Sequence, residues 1–258
     1  MSPTAVRILD FCREISVREN ASLAVHEEIY SALDPLLEAA TPQDTAAVLS
    51  DPEFMETRDH LHRIRARYEF AREYEVAKRV LELADDGPSV GFRSADMYDA
   101  AVHFETALIN AETPRSVLFI GAGPFPITSI AYARMVPDAR VVCIDNDTVA
   151  QKMADAIARK LKCGNLEVQL GDGVTDPDFA EFDVVVVGLM IGVTDHEKAI
   201  AARRILARSR PKRALFFRSA VGAGRVIWPR LDLKLPGNVV LDPVSGGPEN
   251  TFALVRAR

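Results

Sequence analysis

Cysteine is scarce in this chain. The three present, Cys12, Cys143 and Cys163, lie far apart with no C-x-x-C spacing, which excludes a disulfide framework and a cysteine zinc site. The five histidines, His26, His60, His62, His103 and His196, are equally scattered, and each reads as a free surface side chain rather than a metal ligand. Long apolar runs are also missing: the one between Asp183 and Asp195 has eleven residues, whereas a membrane-spanning helix needs roughly twenty. Arg7, Asp10, Arg13 and Glu14 interrupt any apolar stretch at the N-terminus that would serve as a signal peptide, so the expected compartment is the cytoplasm. There is no excess of positive charge. Lys plus Arg number 31 against 37 Asp plus Glu, a net −6, which argues against a broad nucleic-acid-binding surface.

What is present is ordinary for a globular protein: 258 residues, 48% hydrophobic and 26% charged. The texture divides the chain into a helical domain over 1–113 and an α/β domain over 114–258. In the first part apolar residues recur at helical spacing, predicting helices near 4–17, 23–39, 43–49, 52–84 and 94–110; Asp51-Pro52 reads as an N-cap followed by proline at the first helical position. From Arg115 onward short Val/Ile/Leu/Phe runs alternate with amphipathic stretches. Strands are predicted at 116–121, 140–145, 166–170, 182–188 and 213–218, with helices at 126–136, 147–162 and 195–208. The segments 239–241 and 251–256 flank a Ser-Gly-Gly-Pro turn and predict a closing antiparallel hairpin. A mostly parallel sheet that ends this way is typical of methyltransferase-like Rossmann folds that use S-adenosylmethionine (SAM).

Gly121-Ala122-Gly123 follows the first strand and precedes a helix. Glycine there gives backbone clearance, so that a nucleotide-like cofactor can approach the chain. Asp145 ends the second strand 24 residues after Gly121, where an acid commonly accepts ribose hydroxyls. The loop then departs from a dinucleotide fingerprint: Pro124 and Pro126 remove two amide donors that a pyrophosphate would use, which favours a cofactor without phosphates, such as SAM. Gly171-Asp172-Gly173 after the third strand fits either an adenine contact or a simple turn. Gly188 and Leu189, with Met190, leave the fourth strand at the same edge and line the expected pocket.

Taken together, these residues resemble those of the nicotianamine synthases and their bacterial relatives that build opine-type metallophores such as staphylopine and pseudopaline. The resemblance is carried by Gly-x-Gly-Pro-x-Pro-x-Thr at 121–128 with Ser129, by Asp145-Asn146-Asp147, by Phe217-Arg218-Ser219 with Arg225 and Trp228-Pro229, and by Asn250-Thr251; it covers 95–258, and the first ninety residues offer no comparable match. It implies transfer of the 3-amino-3-carboxypropyl (2-aminobutanoyl) group of SAM to the amine of an amino acid such as histidine, with release of 5′-methylthioadenosine and no metal in the chemistry. Asn146 and Pro124 then belong to the cofactor site, and Pro126 and Thr128 to the substrate site. Intramolecular cyclisation of SAM to azetidine-2-carboxylate, methyl transfer, or a non-catalytic partner protein are the rival readings. A homodimer is left open.

The family carries a glutamate in the helical segment before the first strand, and Glu105 is the matching candidate for the base, with Tyr98 on the same helix face. Glu73 and Glu75, beside Tyr74, are the reserve, and Tyr68 or Tyr132 could replace Tyr98. Arg218 leaves its strand toward the glycine loop and reads either as a carboxylate ligand or as a surface cation. The basic run from Arg203 to Arg213 reads as the outer face and end of a helix, and Trp228 as core packing, with a place between the two halves or over the substrate cleft as the alternatives.

Overall fold

The computed structural model describes residues 1–83, 102, 103, 105, 107, 114–209, 214–233, 239–245 and 251–257. Four helices open the chain: α1 (Pro3–Val17), α2 (Leu23–Ala39), α3 (Pro42–Leu49) and α4 (Pro52–Glu82). Each starts on a side chain that accepts an amide left without a helical partner, from Ser2, Ser22, Thr41 and Asp51 in turn. Ile8 and Ile15 of α1, Ile29 and Leu33 of α2, and Leu61 and Ile64 of α4 fall at helical spacing and close on one another as a core. That core is shared with the far end of the chain, because Ala220, Ala223, Val226, Ile227 and Trp228 complete it.

The second half is a seven-stranded sheet. Its strands are β1 (Ser116–Ile120), β2 (Arg140–Asp145), β3 (Leu166–Leu170), β4 (Val184–Val187), β5 (Ala214–Ser219), β6 (Val239–Ser245) and β7 (Thr251–Ala257), in the order β3-β2-β1-β4-β5-β7-β6. The first five run parallel, and β7 is antiparallel to both β5 and β6. Helices α5 (Ile127–Met135), α6 (Thr148–Lys160) and α7 (Asp195–Arg208) make the crossovers. Both faces of the sheet are covered, so successive strand residues go to opposite cores: Val117, Phe119, Val141 and Val186 to one, Leu118, Ile120, Val142 and Val187 to the other. This is the expected Rossmann-like arrangement with a helical N-terminal part.

The predicted elements agree with the observed bounds to within two residues, except that β6 runs on to Ser245. The predicted helix at 94–110 is described only at Val102, His103, Glu105 and Ala107, which are helical; Tyr98 lies outside the described residues, as do Arg210 to Arg213 and Asn250. Arg203, Arg204 and Arg208 are on the exposed face of α7, as expected. Two histidines correct the surface reading. His26 is buried beside Tyr30 and Tyr68, and His62 is buried with Nε2 3.4 Å from the Arg225 carbonyl. Burial pushes the His62 pKa down, so it sits neutral in the core. Spacing alone could not show this, because these histidines sit on faces that only the helix packing buries. Among the described residues no helix is long and apolar enough to cross a membrane, and no group of His, Cys, Asp and Glu is arranged to hold a metal ion.

Helix α4 joins the halves. Phe54, Leu61, Ile64 and Tyr68 face the helical core, while Ala77 and Val80 pack with Phe125, Ile130 and Ile157 of the α/β half. Between these two apolar stretches the same stripe carries Glu69 and Glu73. That polar interval faces the end of β1.

Candidate active site

The glycine loop is shaped by what lies directly against it. Gly121 and Ala122 donate to the Ile144 carbonyl at 2.9 and 3.2 Å, which bends the chain sharply off β1. Gly121 and Gly123 both have positive φ, +88° and +65°, a region that costs other residues about 1–2 kcal/mol. Gly123 is constrained a second time, since a Cβ there would lie 2.2 Å from Glu73 Oε2. Its amide donates to Asp145 Oδ2 at 2.8 Å, and Asp145 Oδ1 accepts from the Asp147 amide at 2.9 Å. Asp145 is therefore held against the glycine loop, Asn146 beside it is exposed, and Asp147 caps α6. Pro124 and Pro126 are buried, and Pro126 precedes α5 without a side-chain cap.

Two further loops reach the same edge. Gly173 is buried where a Cβ would come within 2.4 Å of Ile120 Cγ2, so the turn after β3 rests on the end of β1. Asp172 is exposed and accepts from the Val174 amide at 2.8 Å, so its carboxylate faces the solvent side of that turn. Gly188 donates to the Ile120 carbonyl at 2.9 Å, and Leu189 and Met190 lean onto the helical core. The loops that follow β1 to β4 thus converge at their carboxyl ends, where open parallel sheets bind ligands.

The opposing wall is α4. Glu73 is half-buried at the loop, and burial, reinforced by the negative charges of Glu69 and Asp145 against the lowering effect of Arg72, raises its pKa to about 8. Glu69 is buried between Arg65 at 2.9 Å and Arg72 at 2.8 Å. The Arg65 guanidinium lies 4.1 Å from the Tyr30 ring centre and 4.5 Å from that of Trp228, which places the single tryptophan between the halves. Tyr68 donates to Glu27.

Glu105 has a different environment. It is fully buried, accepts from the Tyr132 hydroxyl at 2.6 Å and lies 3.3 Å from Arg218 Nε. Arg218, 5% exposed, donates from Nη1 to Thr128 Oγ1 at 3.0 Å. Burial and then the charge of Glu105 push the Tyr132 phenol well above its ordinary value. The lone pairs of Glu105 are already engaged by donors, one of them a cation, and Arg218 and the Thr128 hydroxyl are turned toward the interior. The surface alternative for Arg218 is corrected, because the end of β5 is covered. Sequence reasoning missed Glu69, Arg72, Ile191 and Lys198. Lys198 carried a usable signal, since it falls on the apolar stripe with Ala202 and Ile205.

The fold and this edge define a Rossmann-type α/β protein whose glycine loop, at the end of β1, lies directly against a helical wall. A family model described as nicotianamine synthase protein matches residues 5–245, and the chain belongs to that family. The match extends through the helical half, where the motifs alone showed none. Nicotianamine synthase 3 of Oryza sativa subsp. indica is 29% identical over 128 residues, 47% of this chain and 37% of that protein. Nicotianamine synthase 2 of Arabidopsis thaliana is 24% identical over 241 residues, 88% of this chain and 74% of that protein. The chain thus spans well under half of the rice protein it matches. Among solved structures, MtNAS in complex with MTA and tNA superposes with a TM-score of 0.83 at 17% identity, covering 100% of this chain and 99% of that one. A glutamate-to-glutamine mutant of MtNAS in complex with S-adenosylmethionine gives 0.78 at 18% identity over 96% and 97% of the two chains.

Proposed function

We propose that this protein transfers the 3-amino-3-carboxypropyl group of SAM to the amine of a small amino acid, histidine among the candidates, with 5′-methylthioadenosine as co-product. The observation that carries the reading is the Glu73 carboxylate against Gly123, with a pKa raised to about 8. An acceptor amine must give up a proton as it attacks, and a general base is most effective when its own pKa lies near the operating pH. The loop suits SAM: Pro124 and Pro126 withhold two amides that a pyrophosphate would use, and Asp145 is held beside Gly123, where it can meet a ribose. SAM supplies a sulfonium whose γ-carbon bond breaks as the nitrogen–carbon bond forms, with the electron pair left on sulfur. Glu73, rather than Glu105, takes the proton from the attacking nitrogen. Glu105 instead holds Arg218 and, through it, Thr128 at the start of α5.

The test is incubation of the purified protein with SAM, with and without amino acids including both histidine enantiomers, followed by mass spectrometry. Methylthioadenosine formed only with an acceptor, together with the corresponding adduct, is the expected result. Methylthioadenosine with azetidine-2-carboxylate and no acceptor would mean cyclisation. S-adenosylhomocysteine would overturn the reading in favour of methyl transfer.

A further inference from the structure

The first turn of α7 works in two directions. Toward the helical half, Asp195 accepts from Arg58 Nη2 at 2.9 Å and Glu197 from Arg63 Nη2 at 2.5 Å, and both arginines belong to α4, the helix that carries Glu73. Asp195 also accepts from the Arg230 amide at 2.7 Å. Toward the sheet, Lys198 is 2% exposed, and its Nζ donates to the carbonyls of Ile191 at 3.2 Å and Gly188 at 3.5 Å.

Those carbonyls belong to the turn that leaves β4, which the Ile191 amide closes on Gly188 at 3.2 Å. The turn meets the glycine loop directly, since a Cβ on Gly121 would lie 2.8 Å from Ile191 Cδ1. Gly192, with φ +73°, folds the chain straight back onto Lys198: a Cβ there would be 2.2 Å from the Lys198 amide nitrogen. A buried ammonium is costly, and burial pushes this one down to about pKa 7 against the raising effect of Asp195. An apolar side chain of the same length would fill the space without that cost. The ammonium is distinguished by its hold on two main-chain carbonyls.

We propose that Lys198 is a positioning residue for the cofactor crevice: by holding the Gly188 and Ile191 carbonyls it keeps Ile191 against Gly121, and the acids on the same turn of α7 register that setting to α4. The inference rests on SAM as the ligand and is independent of which acceptor is used.

SAM affinity, measured by isothermal titration calorimetry, is compared with thermal melting for the wild type, Lys198→Met, Ile191→Ala and the double variant. Lys198→Met is expected to melt no lower than the wild type, because the buried charge is gone, yet to bind SAM about tenfold more weakly. Ile191→Ala should weaken binding by a similar factor, and the double variant no further than the weaker single, because both changes release the same contact. Wild-type affinity in Lys198→Met, a fall in melting temperature alone, or additive losses in the double variant would each overturn the proposal. Should Lys198→Met fail to fold, Lys198→Gln takes its place under the same criteria, and unchanged affinity in Ile191→Ala is then sufficient to reject it. A wild-type protein that does not bind SAM would refute the functional reading instead.

Discussion

Glu73 and Glu105 are both withdrawn from bulk water, and their neighbours suit them to opposite tasks. Glu73 sits at the glycine loop, where burial and nearby negative charges raise its proton affinity, and in the proposed reaction it accepts a proton once ionised near pH 8; Glu105 is held by Arg218 and Tyr132. Glu73→Gln is expected to bind SAM normally and to lose about 10²–10⁴ in turnover, measured by methylthioadenosine release. Glu105→Leu should act on stability, costing about 3–5 kcal/mol in urea unfolding because it removes the carboxylate paired with the buried Arg218 guanidinium. Acidity follows from the same geometry. The Glu73 pKa is raised from 4.5 to about 8, so between those values the native state holds a proton that the unfolded chain releases. Stability should therefore fall as pH rises through that window, while kcat/KM rises toward about pH 8 as the base form appears. Both slopes should flatten in Glu73→Gln, and an unchanged pH–rate profile would place the base elsewhere.

Among the elements, those with local signals were readable. The start of α4 follows from Asp51-Pro52, whose carboxylate accepts from the Phe54 amide at 2.9 Å. Asp51→Ala should cost about 1 kcal/mol, visible as a drop of about 2–4 °C in melting temperature for a chain of this size. The loop glycines were legible because positive φ and close backbone approach are demands that few other residues meet. At Gly123 the demand is double, so Gly123→Ala is expected to displace the Glu73 carboxylate and weaken SAM binding while the sheet stays folded, as circular dichroism would show. The polar interval on α4 was less legible. Glu69, Arg72 and Glu73 fit a solvated helix face equally well, and only the approach of β1 and its loop turns them into a wall.

For the whole molecule, the two halves are not independent layers. The helical core is completed by residues 220–228, and α4 and α7 are joined through Arg58 and Asp195, which are 16% and 23% exposed as side chains. A double-mutant cycle on Arg58→Met and Asp195→Asn should give a coupling of about 1 kcal/mol in unfolding, with little coupling if the pair acts as an exposed surface bridge. The amino-acid order alone determined the division into a helical and a Rossmann-like part, the strand and helix positions, and the glycine loop with Asp145. Each of these depends on periodicity or backbone freedom within a few residues. The surroundings of Glu73 and Glu105, the burial of His26 and His62, and the contact of Lys198 with the turn after β4 were decided only by tertiary structure. Those properties depend on the charges and carbonyls brought alongside from distant segments, as Arg218 is to Glu105 and Gly123 is to Glu73.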